Sequence, residues 1–110
     1  QPEVVVYCMA KVAIDMFTKC LAKELGPHGV RVNAINPSFI DDTKILRNSP
    51  KKFTDEDEKK FADKFANLAH LKRAGKPADV VSLLLFLASD EASYITGSIN
   101  NIDGGYHLYP

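Results

Sequence analysis

The chain lacks an excess of charge of either sign: 14 basic side chains meet 14 acidic ones in 110 residues, and the pI is about 7.0. Without a basic field there is nothing to favour nucleic acid or an anionic membrane as a partner. Long apolar runs are also missing, and none approaches the ~20 residues that cross a bilayer as a helix. Gln1-Pro2-Glu3 has neither the basic start nor the apolar core of a secretory leader. Cysteine is scarce. Cys8 and Cys20 fall on one predicted helix, roughly 18 Å apart along its axis, too far for a disulfide. Two unpaired thiols suit a reducing, cytoplasmic compartment, and burial as small apolar groups is the state expected of both. The three histidines (His28, His70 and His107) and the cysteines have no zinc-ligand spacing, so no metal is expected. There is no G-x-S-x-G elbow and no phosphate-binding loop, which excludes the corresponding hydrolases and nucleoside triphosphatases.

What is present is a succession of helix and strand signals without an internal repeat. Val5 to Leu25 reads as a helix with two apolar stripes. Ala10, Ile14, Phe17, Leu21 and Leu25 form one; Met9, Ala13, Met16 and Cys20 form the other. The polar remainder (Asp15, Thr18, Lys19, Lys23) is narrow, so cover on more than one side is expected. A sheet with a second helix or subunit would supply it, and so would burial within a larger domain of its own.

Gly26-Pro27-His28-Gly29 stops that helix. Val30 to Asn36 then reads as a parallel strand covered on both faces, halted by Pro37. Pro37 to Thr43 thus falls at the carboxyl end of a strand, where open α/β sheets bind ligands. Residues 44–76 are polar. Within them Thr54 and Asp57 have capping-box spacing, and Phe61, Phe65 and Leu68 make an apolar stripe that fits either core or pocket. Pro77 opens an apolar helix through Ala88, expected to be buried against the sheet. Ser98 to Ile102 reads as a second strand, and Asp103-Gly104-Gly105 as a turn.

Tyr7 and Lys11 carry the chemistry. Four residues apart on a helix, their side chains lie on one face. A phenol titrates near pH ~10, and an ammonium beside it favours the phenolate, which brings acid–base work towards neutral pH. The pair alone is a weak signal, and order supplies the rest. Tyr7-Cys8-Met9-Ala10-Lys11 is followed by Arg31-Val32-Asn33-Ala34-Ile35-Asn36-Pro37, then Ala88-Ser89-Asp90, Ile95-Thr96-Gly97 and Asp103-Gly104-Gly105. Over essentially its whole length this set resembles the C-terminal half of the short-chain dehydrogenase/reductase family. The first helix is similar to the dicarbonyl/L-xylulose reductase branch, and the tail to the acyl-carrier-protein ketoreductase branch.

The resemblance implies an α/β fold: the C-terminal part of a Rossmann-type doubly wound parallel sheet in three layers. Residues 1–110 would be the C-terminal portion of one dinucleotide-binding oxidoreductase domain. Its Gly-rich turn and catalytic Ser would lie in an N-terminal half absent from this chain, and the abrupt start without Met is read the same way. Tyr7 is implied as the general acid/base of an NAD(P)(H)-dependent carbonyl reductase or alcohol dehydrogenase. Lys11 would assist it and bind the nicotinamide ribose. Pro37, Ser38, Ile40 and Thr43 match the loop behind the nicotinamide, with two departures. Ser38 stands where the family usually has Gly, and the family's Thr position is Asp42, with Thr43 one later. NAD and NADP are not distinguished by this half. A small carbonyl or alcohol substrate and a homo-oligomer through helix 5–25 are the implied partners. Two other classes of reading remain: a truncated relative acting as an assembly module, and a dinucleotide-binding regulator without turnover.

Overall fold

In the computed structural model, which describes residues 4–43, 45, 46, 48 and 52–108, helix α1 spans Val5–Leu25, the range its pattern predicts. Its covered stripe is not the expected one. Thr18 and Ala22 are buried, with Asp15 and Leu25 half-covered beside them, whereas Ile14 and Phe17 are exposed. The Thr18 hydroxyl escapes the cost of burial by donating to Ile14 O at 2.9 Å. Small side chains line this face because backbone comes close: a Cβ on Gly97 would sit 3.5 Å from that of Ala22. Cys8 and Cys20, expected to be buried, are both exposed free thiols. A 3₁₀ turn, Gly26–His28, follows, and Gly29 closes it in the left-handed region at φ 73°.

Strand β1 covers Ala34–Pro37, shorter than predicted at its start and including Pro37 as its last residue. Residues 30–33 are apolar enough for a strand but pair irregularly. Val32 N–H bonds the Thr96 side chain (3.0 Å), and Gly97 N–H bonds Val32 O (2.7 Å). A ladder needs a partner in register, and here the partner is a loop. Strand β2 is Ile99–Ile102, and the two strands form a two-stranded sheet. Ala34 N–H donates to Ser98 O and Ser38 N–H to Ile102 O, so both strands advance together and run parallel.

The chain divides into two units, residues 1–35 with 85–100 and residues 36–84 with 101–110. In the second, helix α2 (Asp55–Leu68) starts at the expected capping box. Thr54 Oγ1 accepts from Asp57 N–H, and Asp57 Oδ2 accepts from Thr54 N–H. Four acidic residues in the first turn favour the positive end of the helix. Helix α3, Pro77–Ala88, was expected to be buried. Leu87 is, but Val81, Leu84, Leu85 and Phe86 are exposed among the described residues. In the second unit Gly104 and Gly105 take φ 59° and 82° and admit the backbone of 69–71, with Leu71 N–H bonded to Gly104 O.

Candidate active site

Tyr7 lies in the first turns of α1 and Lys11 one turn on, with the ammonium 5.3 Å from the centre of the phenol ring. Helix geometry alone brings them together. Tyr7 is 62% exposed, so its hydroxyl is accessible. The first unit thus offers a proton-bearing group with a cation beside it.

In the second unit, residues 38–43 leave β1 as a backbone-held loop. Ile40 forms a parallel bridge with Gly75: Gly75 N–H donates to Phe39 O (3.3 Å) and Asp41 N–H to Gly75 O (2.8 Å). In such a bridge the amide of the central residue faces away from the partner, so the Ile40 N–H is directed to the other side of the loop. The glycine at 75 leaves room for the Ile40 side chain: a Cβ there would come within 2.6 Å of Ile40 Cδ1 and oblige that chain end to move. The Ser38 N–H is occupied by Ile102 O, and Pro37 is exposed at the end of β1. The Thr43 hydroxyl donates to Ile40 O at 3.0 Å, closing the turn in which Asp42 takes φ 58°. Loop 37–43 is therefore held by its backbone on the Gly75 side and presents the Ile40 amide on the other.

Sequence reasoning missed three groups. Arg31, quoted only within a motif, is the clamp of the first unit. Its guanidinium donates to Leu87 O (2.7 Å), Ser89 O (3.0 Å) and Ile95 O (3.4 Å), satisfying carbonyls where α3 ends. Asn33 adds bonds to Ile95 O, Ser98 N–H and the Ser98 hydroxyl. Phe39 was not singled out, yet its ring lies 5.3 Å from that of Phe65, at 17°, and 6.3 Å from Phe61. Thus the Phe61–Phe65 stripe packs on the loop.

The second unit also has an open cleft of about 550 Å³, lined by His70, Arg73, Asp79, Asp103 and Leu108. Its charges are already matched. Arg73 grips Asp79 with two bonds of 2.7 and 2.8 Å. The hydrogen bonds from Arg73 and the Lys76 amide pull the Asp79 carboxyl down to about 2. Burial pushes the Asp103 carboxyl up, but bonds from the His107 amide and ring and from the Gly105 amide outweigh it and leave Asp103 below its ordinary value. Among the described residues no group of three potential ligands could hold a metal ion.

Two parallel strands alternating with helices place the chain in the α/β class. Residues 1–107 match the family described as enoyl-(acyl carrier protein) reductase. An L-xylulose reductase of Caenorhabditis elegans is 43% identical over 92% of this chain and 38% of its own length. A 7alpha-hydroxysteroid dehydrogenase of Clostridium sardiniense is 35% identical over 94% of this chain and 37% of its own. In structure, a short chain dehydrogenase from Bacillus anthracis superposes with a TM-score of 0.73 at 36% identity, covering 93% of this chain and 38% of that one. The chain belongs to the short-chain dehydrogenase/reductase family and has its Rossmann-type α/β fold. It spans somewhat over a third of the length of the relatives it matches.

Proposed function

We propose that this chain forms the C-terminal part of an NAD(P)(H)-dependent carbonyl reductase or alcohol dehydrogenase, with Tyr7 as its general acid/base. The observation that carries this is the Lys11 ammonium 5.3 Å from the accessible Tyr7 ring. The Tyr7 hydroxyl donates its proton to the substrate's carbonyl oxygen in reduction and recovers one from the alcohol in oxidation. Lys11 holds a positive charge beside the phenol and keeps further N–H donors for ribose hydroxyls. Loop 37–43 fits a nicotinamide carboxamide through the outward Ile40 amide, with Pro37, Ser38 and Thr43 shaping its backbone. The chemistry that the nicotinamide supplies when bound is hydride transfer at the carbonyl carbon.

No Gly-rich turn for a pyrophosphate occurs in the sequence. A preceding half of the domain would provide it, and would also cover the apolar residues exposed on α3. On α1 the exposed row Val5, Met9, Val12 and Met16 fits a second subunit. The exposed, unpaired Cys8 and Cys20 agree with a cytoplasmic location. A sugar-like dicarbonyl, a ketoacyl thioester and a steroid-like ketone all remain candidate substrates.

Tyr7→Phe in the complete protein tests the assignment. Loss of a general acid lowers turnover by about 10²–10⁴, so carbonyl reduction should fall at least that far while circular dichroism is unchanged. Full activity in Tyr7→Phe would refute the mechanism. An assembly module without catalysis would share the apolar rows but give no signal for this substitution to remove.

A further inference from the structure

We infer that Phe39 is a positioning residue through which helix α2 sets the cofactor-binding strength of loop 37–43. The inference rests on the reading of that loop as the nicotinamide-carboxamide site.

Phe39 sits between Ser38 and Ile40, and its carbonyl already accepts the Gly75 amide. The backbone of the loop is thereby fixed on one side, and its ring fixes it on another. Phe65 stacks on Phe39 at 5.3 Å and Phe61 lies 6.3 Å away. The stack continues outward. Phe53 meets Phe61 edge-on at 5.6 Å, and Tyr106 packs 5.6 Å from Phe65. Five rings therefore join the loop, α2, the chain just before α2 and the short turn Tyr106–Leu108. None of these rings is fully buried. If α2 shifts, Phe39 must rotate or follow, and the Ile40 amide next to it turns away from the direction that suits a carboxamide. The placement of α2 and dinucleotide binding at the loop then depend on one another through the Phe39–Phe65 stack.

The test is made on the complete protein with Phe65→Ala, Phe65→Leu and Phe65→Tyr. Phe65 carries no atom of the proposed cofactor contacts, so it reports only on the coupling. An aromatic pair contributes enough to change an equilibrium by roughly two- to tenfold. Phe65→Ala should weaken NADH or NADPH binding, titrated calorimetrically, by roughly that factor. It should also raise hydrogen exchange at the Asp41 amide in the protein without dinucleotide. Phe65→Tyr should restore both, and Phe65→Leu, which keeps apolar volume but not the stack, should restore neither. An unchanged dissociation constant and unchanged Asp41 exchange in Phe65→Ala would overturn the coupling alone. Absence of dinucleotide binding by the unmutated protein would overturn the loop assignment, and the coupling with it.

Discussion

Arg31 offers the most direct test of what holds the first unit together. Its guanidinium serves three backbone carbonyls from one half-covered position, at 2.7, 3.0 and 3.4 Å. Two of these are good bonds and the third lies at the limit of useful length. A hydrogen bond to a charged group contributes about 1.5–3 kcal/mol, and removing the donor leaves acceptors to find water. Leu87 is buried, so its carbonyl is poorly placed to do so, whereas the Ser89 carbonyl is not so confined. Arg31→Met should therefore cost the first unit about 2–4 kcal/mol. Arg31→Lys should cost about half as much, because an ammonium can reach one carbonyl but not a fork of them. The reporter is the Gly97 amide, bonded to Val32 O at 2.7 Å within the same unit. Its hydrogen-exchange protection in the complete protein should fall roughly thirtyfold or more in Arg31→Met. If both variants stay within about threefold of the unmutated protein, the clamp is not an energetic one and this reasoning fails.

Two further outcomes follow from the surface groups. Asp79 has a carboxyl pKa lowered from 3.8 to about 2, so its bond to Arg73 is fully present above pH 4 and disappears as the pH falls through about 2. A carbon NMR titration should find that midpoint, and Arg73→Gln should raise it; no change in the variant would remove Arg73 as the cause. On α1, Val12→Asp places a charge within the exposed row Val5, Met9, Val12 and Met16. Sedimentation should show the complete protein as an oligomer and the variant as a smaller species, and identical species would argue against a subunit contact there.

What the sequence disclosed followed the range of the interactions involved. The limits of α1, the capping box at Thr54 and the Tyr7–Lys11 approach depend on neighbours within about one helical turn, and all three were readable. Strand β1 was misjudged at its start because apolar character does not specify a partner, and residues 30–33 face a loop. The covered face of α1 was missed for a related reason. Thr18 looks polar in sequence, and only the approach of Gly97 to Ala22 shows that small size decided that face. Arg31 could not have been assigned, since its acceptors lie 56 to 64 positions away. The role proposed for loop 37–43 comes from resemblance, while its support by Gly75 and Phe39 became visible only in three dimensions.

The clamp also bears on the order in which the chain can fold. Arg31, Asn33 and Ala34 bond groups 56 to 66 residues later, and β1 has β2 as its partner. Closing a loop of that length costs about 3–4 kcal/mol of chain entropy before any contact repays it. During synthesis, residues 31–37 must therefore wait, with their donors and acceptors satisfied by water, until residues 95–102 have left the ribosome. Helix α2 has no such delay, because its cap and its acidic first turn are complete within a few residues. Strand β1 is accordingly ordered no earlier than β2, although it is made about 60 residues before it.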